Sequence, residues 1–266
     1  MKKAYVIGDN VKKSLSPIMF NYWFKKHNIN AKYYYKQTSP ENFNNEVSLI
    51  LKEKNVCGIN ITIPFKEKIN YLIDGVNKDA LEIGATNFVS KSNNGWIGGN
   101  TDWIGFSQSI NLKLNKHQKN KAIILGYGGA AKAVLYALKK EGFKDIEVFN
   151  RTEKKISNLK NRKHTLALSP TLLNKHLFDT DLIINTTPVN PLSVIPKINF
   201  YEKNHAFDIV YRPKKTDFLL NFSENKRIYG ISMLINQAIP CFEKWFGFKP
   251  VADNSLFSFL EDESTQ

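Results

Sequence analysis

The sequence predicts an α/β protein of two domains, on three observations. Strand-like apolar runs alternate with segments of helical period along most of the chain, the pattern that packs helices against a mostly parallel sheet. A lysine- and asparagine-rich connector, NKHQKNK, interrupts the alternation, and a new unit, AIILGYGGAAKAVLYALKKEG, begins as it ends. The length of 266 residues is enough for two separate cores.

In the first domain the order reads strand (AYVIG), helix (SPIMFNYWFKKHN), strand (AKYYYKQT), helix (PENFNNEVSLILKEK) and strand (VCGINITI). The first helix has Ser16 at its expected N-cap and Pro17 at its first position, where a missing N–H costs nothing. In GINITIPFKEK, apolar and polar residues alternate as in a strand until Pro64 stops the run. Two short helical pieces, FKEKINYLID and NKDALEIGA, come next. ATNFVSKSNNGWIGG then reads as a hairpin turning at SNNG, and NTDWIGFSQSINLKL as a helix. Beyond the connector and its strand–helix unit come strand (DIEVFN), a lysine-rich helix, strand (HTLAL), helix, strand (DLIINTT), strand (AFDIVY), helix and strand (KRIYG). ISMLINQAIPCFEKWFG has apolar residues at helical spacing, and VADNSLFSFLEDE adds a last helix.

A hydrophobic fraction of 42% and a charged fraction of 23% place the chain among globular proteins. Its apolar start is too short for a signal peptide and it has no run of eighteen apolar residues, so a cytoplasmic protein without a membrane partner is expected. Cys57 and Cys241 lie far apart among apolar neighbours, which reads as two buried free thiols. The five histidines show no HxH or HExxH spacing, so no metal site is expected. The net charge of +14 admits two readings, a nucleic-acid binder or a lysine-rich surface. The basic residues fall in short pairs rather than in one arm, so no nucleic-acid partner is expected. The same charge would attract small anions.

The strongest local motif is Gly126-Tyr127-Gly128-Gly129-Ala130-Ala131, between a strand and a helix. It is the G-x-G-x-x-A form of the dinucleotide fingerprint. The first glycine permits the tight turn, and the second lets backbone approach a pyrophosphate. The small last position allows strand and helix to pack closely, and the helix N-terminus offers N–H groups to the anion. The next strand ends at Asn150-Arg151-Thr152, with no carboxylate where one would grip a ribose 2′-hydroxyl. Arg151, a Thr152 cap, and Lys154 and Lys155 in the first helical turn suit a 2′-phosphate instead, which favours NADP over NAD. Ser14 and Ser16 flank a helix N-terminus, which explains them as structure and equally suits a substrate carboxylate. Lys66 follows the carboxyl end of a strand, the edge where α/β proteins bind ligands. Asn87 stands at a strand start and Asp102 at a helix start. Taken singly, each of these three reads more readily as an ordinary residue: a helix-turn lysine, a turn asparagine and an aspartate at a helix N-terminus.

Together GDNVKKSLSP, NITIPFK, GATN, GGNTDWIG, GYGGAAKA, NRT, NTTP, DIVYRP and GISMLINQA resemble the motifs of the shikimate dehydrogenase family, in the family's order, from residue 8 to about 247. The resemblance implies a substrate domain from residues 1–100 plus 238–266, a Rossmann-like NADP-binding domain at 101–237, and an active site in the cleft between them. It implies NADPH-dependent, reversible reduction of 3-dehydroshikimate to shikimate, in aromatic amino-acid biosynthesis, by a monomer or homodimer. By the same resemblance Lys66 and Asp102 form the catalytic pair, and Ser14 and Ser16 hold the substrate carboxylate. Asn60, Thr62, Asn87, Tyr211 and Gln237 complete that pocket. The cofactor would meet Gly126, Tyr127, Gly128, Gly129, Ala130, Asn150, Arg151, Thr152, Lys155, Thr186, Ile209 and Gly230. The chain departs from the family's usual pattern at Asn10 and Lys13, where proline and histidine are common, and at Phe20, where histidine is common. A quinate/shikimate dehydrogenase able to use NAD is one alternative. A noncatalytic NADP-binding regulatory protein is another, and it would have no need of both Lys66 and Asp102.

Overall fold

The strand–helix alternation builds two sheets, one in each of two units. The computed structural model describes residues 1–151, 165–193 and 198–265. One unit comprises Met1–Asp102 with Ile235–Glu263, the other Trp103–Leu234 with Ser264–Gln266.

The first unit runs β1 (Lys2–Gly8), α1 (Ser16–Lys26), β2 (Ala31–Gln37), α2 (Phe43–Lys52) and β3 (Val56–Ile61). A single 3-10 turn (Lys68–Tyr71) leads to β4 (Gly75–Val76), α3 (Lys78–Ile83) and the hairpin β5 (Phe88–Ser92) and β6 (Gly95–Gly99). Strand order is β2-β1-β3-β5-β6-β4. β1 pairs in parallel with both β2 and β3, while β5 is antiparallel to β3 and to β6. The period-2 pattern of β3 sorts its residues onto two faces. Ile59 and Ile61 join a core with Phe43, Val47, Phe65 and Trp96. On the other face, a Cβ at Gly58 would lie 2.0 Å from the Trp245 ring, so only glycine admits that indole. Its Nε1–H donates to the Val89 carbonyl at 3.1 Å, which satisfies the one polar atom the ring brings inside. Phe20, Trp23, Tyr33 and Phe242 extend this aromatic layer.

Three local expectations change. α1 takes Leu15, not Ser16, as its N-cap, because Leu15 already has helical φ/ψ and its carbonyl accepts from Met19 N–H at 3.0 Å. FKEKINYLID yields only one 3-10 turn, and the two-residue β4 is too short to leave a periodic trace. Cys57 is half-buried rather than buried, while Cys241 is fully enclosed; both are free thiols.

The second unit begins within α4 (Asp102–Asn111) and continues through β7 (Lys121–Leu125), α5 (Gly129–Lys140), β8 (Asp145–Asn150), β9 (Thr165–Ala167), α6 (Pro170–Leu177), β10 (Leu182–Asn185), β11 (His205–Asp208), α7 (Asp217–Leu220) and β12 (Arg227–Tyr229). α8 (Gly230–Phe246) and α9 (Asn254–Thr265) close the chain. The order β12-β11-β10-β7-β8-β9 is parallel at every pairing. β7 shows why a doubly covered strand reads as a continuous apolar run. Ala122 and Ile124 face a core with Phe106, Val134 and Phe207, whereas Ile123 and Leu125 face Phe149, Leu173 and Phe218. Thr152, Lys154 and Lys155, with the lysine-rich helix expected there, lie outside the described residues. Among the described residues no helix is long and apolar enough to cross a membrane.

Candidate active site

Each sheet has a point where successive crossovers leave in opposite directions, and there the loops part at the carboxyl ends of the strands. In the first unit this point lies between β1 and β3. Thr62 to Phe65 form the turn out of β3, closed by Phe65 N–H donating to the Thr62 carbonyl at 2.9 Å, with a cis Ile63–Pro64 bond inside it. The buried Phe65 ring stacks on Phe43 at 4.1 Å and pins the turn. Lys66 comes next. Its carbonyl accepts from Thr86 N–H at 2.7 Å, and its Nζ donates to Asp102 Oδ2 at 2.5 Å. Both side chains are about nine-tenths enclosed, at 12% and 8% exposure.

Asp102 is held from three sides. Its backbone N–H donates to Asn100 Oδ1 at 3.0 Å, and Asn100 Nδ2 in turn donates to the Ala85 carbonyl at 2.8 Å. Its second carboxylate oxygen accepts from Asn87 Nδ2 at 2.8 Å. Asn87 Nδ2 also lies 2.9 Å from Thr101 Oγ1 and 3.3 Å from Gln237 Oε1. An amide nitrogen has two hydrogens, so three acceptors compete for two bonds. The longest belongs to Gln237, and that contact is the one most readily given up to a ligand. Asn87 Oδ1 accepts from the backbone N–H of Thr101 at 2.7 Å, which locks the amide in register with the start of α4.

Asn60, expected in the pocket, is already committed. Its Oδ1 accepts from the Tyr33 hydroxyl at 2.8 Å. Its Nδ2 donates to the Asn87 carbonyl at 3.2 Å and to Cys241 Sγ at 3.5 Å. Both amide hydrogens are therefore spent inside the protein, and one oxygen lone pair is left to offer. Burial pushes the Cys241 thiol up to about 12, against the opposing bonds from Thr101 and Asn60. It thus stays S–H and donates to the Gln237 carbonyl at 3.4 Å.

Ser14 and Ser16 belong to the loop after β1. Ser14 Oγ accepts from Ser16 N–H at 3.2 Å, and Asp9 N–H donates to the Ile63 carbonyl at 3.3 Å, so this loop lies against the turn that carries Thr62. Of the residues where the chain departs from the family's usual pattern, Asn10 and Lys13 are exposed. Phe20 is buried in a stack on Tyr33 at 4.2 Å. Tyr211 lies in the second unit, after β11, whereas the other expected pocket residues lie in the first.

In the second unit the switch point lies between β7 and β10. Gly126 has φ +99°, a conformation that costs a side-chain-bearing residue, and a Cβ there would lie 2.9 Å from Thr186 Oγ1. Thr186 Oγ1 donates to the Leu125 carbonyl at 2.7 Å. Gly128 differs: its φ is ordinary, and a Cβ added to it meets nothing within 4 Å. Protein packing therefore does not require that glycine, whereas the close approach of a pyrophosphate would. α5 starts at the next residue with no side-chain cap, leaving its first N–H groups to an anion. Tyr127 stands in the same turn, and Ala130 in the first turn of α5. Asn150 ends β8 and Arg151, exposed, follows it, so a cation stands where a ribose-gripping carboxylate would. These residues fit a dinucleotide with a 2′-phosphate.

Comparison with known proteins agrees with both halves of this geometry. Residues 6–89 match the family model described as shikimate dehydrogenase substrate binding domain, and residues 109–206 that of shikimate / quinate 5-dehydrogenase. A shikimate dehydrogenase (NADP(+)) of Caldicellulosiruptor bescii is 36% identical over 98% of this chain and 95% of its own length. The chain belongs to the shikimate dehydrogenase family. A second family member, from Pelagibacter ubique, is 35% identical over 98% of this chain and all of its own. The crystal structure of the Aquifex aeolicus shikimate dehydrogenase superposes with a TM-score of 0.85 at 33% identity, covering 100% of this chain and 98% of that one. That of the Thermus thermophilus enzyme, in complex with NADP(H) and shikimate, gives 0.83 at 29% identity, covering 99% and 98%.

The expected residues that meet through direct hydrogen bonds are Lys66, Asp102, Asn87, Gln237 and Asn60. Tyr33, Asn100 and Thr101 hold them and were not singled out from the sequence. Asn100 and Thr101 stand inside GGNTDWIG, where an asparagine two residues before a helix start is a readable cap signal. Tyr33, one of three consecutive tyrosines, has no such signal.

Proposed function

We propose that this chain is an NADP-dependent shikimate dehydrogenase that interconverts 3-dehydroshikimate and shikimate, with Lys66 and Asp102 as its catalytic pair. The observation that carries this reading is the Lys66–Asp102 contact of 2.5 Å at the switch-point edge of the first sheet. NADPH, when bound, supplies the hydride that reduces a ketone. Negative charge then grows on the substrate oxygen, and the Lys66 ammonium stabilises it and delivers the proton. In the oxidative direction the same nitrogen takes the hydroxyl proton. Asp102, fixed by Asn87 and by the Asn100 cap, determines where that nitrogen stands. Ser14 and Ser16 bind the ring carboxylate at the start of α1. Asn60, Thr62, Asn87, Tyr211 and Gln237 read the hydroxyls. Gly126 to Ala130 cradle the pyrophosphate, Arg151 with Thr152 and Lys155 the 2′-phosphate, and Thr186, Ile209 and Gly230 the nicotinamide end.

Quinate is the second substrate to test, because the matched family model carries both names. Purified protein is assayed for nicotinamide reduction with shikimate or quinate, each with NADP or NAD. The expected result is turnover chiefly with shikimate and NADP; no turnover in all four mixtures overturns the enzyme reading. We place the enzyme in the cytoplasm as a monomer or homodimer without a nucleic-acid partner. Salt-independent gel-filtration elution and no retention on DNA are the matching outcomes.

A further inference from the structure

Asp208, the last residue of β11, is only 1% exposed, and neutral groups bond both of its oxygens. Oδ1 accepts from Asn185 Nδ2 and from Val210 N–H, each at 3.0 Å, and Oδ2 accepts from the Thr216 hydroxyl at 2.6 Å. Each donor reaches a different segment. Asn185 ends β10, and its Oδ1 accepts from Thr187 N–H at 3.0 Å and from the Thr187 hydroxyl at 2.7 Å. A Cβ on Gly126 would lie 2.8 Å from Thr187 Cγ2, so the same chain of contacts abuts the glycine turn. Thr216 caps α7 by accepting from Leu219 N–H at 3.3 Å. On the backbone side, a Cβ on Gly230 would come within 2.6 Å of the Asp208 carbonyl oxygen and 2.7 Å of that of Ile209. Only glycine lets the start of α8 lie on that peptide.

The sheet order says which part of a dinucleotide these segments would face. The pyrophosphate belongs at the turn after β7 and the 2′-phosphate beyond β8, so the other half extends over β10 and β11. We propose that Asp208 is a positioning residue for this reaction, setting Thr186–Thr187, Ile209–Val210 and Gly230 as the wall that receives the nicotinamide end of NADPH. This rests on the NADP reading above. A carboxylate suits the task because it accepts from three donors and offers none, whereas an amide turns an N–H toward one of them. Burial pushes the Asp208 carboxyl up to about 6 despite those three bonds, a sign of how little water reaches it.

The test titrates NADPH by fluorescence, and shikimate separately, into wild type, Asp208→Ala and Asp208→Asn, with steady-state KM and kcat alongside. Asp208→Ala is expected to weaken NADPH about tenfold or more and Asp208→Asn about threefold, as partial rescue. Shikimate affinity, which rests on Ser14, Ser16, Asn60, Thr62, Asn87 and Gln237 of the first unit and on Tyr211 alone from the second, stays within about twofold of wild type. Unchanged NADPH affinity in Asp208→Ala overturns the proposal. So does a parallel loss of both ligands, the mark of general destabilisation. Should Asp208→Ala fail to fold, Thr216→Val removes one of the three donors, and an unaltered NADPH affinity there overturns it equally. A wild type that binds shikimate but no NADPH overturns the NADP reading itself and this inference with it.

Discussion

The two switch-point edges are built from different materials. At the edge between β1 and β3 the work is done by side chains: Lys66, Asp102, Asn87, Asn60 and Gln237 interlock through direct hydrogen bonds. At the edge between β7 and β10 the chain offers backbone and space. Gly126 makes the turn, Gly128 leaves room, and α5 begins uncapped. A small substrate with one carboxylate and several hydroxyls has to be read by groups of fixed direction, so the protein must satisfy those groups among themselves while the site is empty. A pyrophosphate presents the same oxygens whatever the chemistry, and peptide N–H groups are enough to hold it.

The comparison can be broken at either edge. The largest effect is expected from Lys66→Ala, which removes the proposed proton donor: kcat should fall about 10²–10⁴-fold with little change in the KM for shikimate. A variant with near-normal kcat and a raised KM would make Lys66 a binding residue and leave the first edge without its chemistry. Next comes Gly128→Val, which fills space that no protein atom uses. NADPH should weaken about tenfold or more while shikimate binding and the melting temperature hold, as a lost close approach requires. If the melting temperature collapses as well, the glycine serves packing, and the contrast between side-chain and backbone edges loses its best support.

Two smaller effects sharpen the picture through stability. Tyr33→Phe leaves Asn60 Oδ1 without its donor in a residue 7% exposed. An unmade buried bond costs about 1–3 kcal/mol, which a urea midpoint can measure. A midpoint equal to wild type would mean that Asn60 re-pairs and that the first edge is less rigid than its bonds suggest. In the second unit, Asp208 has its carboxyl raised from 3.8 to about 6 by burial. A raised group contributes stability that is complete below the unfolded value and is lost as pH climbs through the folded one. Between pH 7 and pH 5 Asp208 alone should therefore add about 1 kcal/mol, because the folded state takes up a proton and the unfolded state does not. Urea unfolding of wild type and Asp208→Asn at the two pH values isolates that increment; equal differences in both would return the carboxyl to an ordinary value.

Much of this was legible along the chain because it is local. β7 announces itself by an unbroken apolar run, since both of its faces are covered. The glycine turn is legible because three small residues at fixed offsets meet a backbone requirement. Lys66 was legible only as a lysine after a strand, and family resemblance was needed to raise it further. β4 and the single 3-10 turn escaped because two to four residues carry no period. The N-cap of α1 fell one residue early because Leu15 had already adopted helical geometry, which no residue preference discloses. Tyr33 went unnoticed because its neighbours Tyr34 and Tyr35 are chemically identical and its partner Asn60 lies 27 residues away.

By itself, then, the sequence determined the α/β class, the order of nearly all the elements, the glycine turn and the family, each carried by a run of adjacent residues. Only the tertiary structure decided that Asn60 has spent both amide hydrogens, that Asn87 has one acceptor too many, and that Asp208 stands dry at the end of β11. The physical reason is common to all three. A polar group's chemistry depends on which donors, acceptors and water reach it, and those neighbours come from strands and helices far apart in the chain.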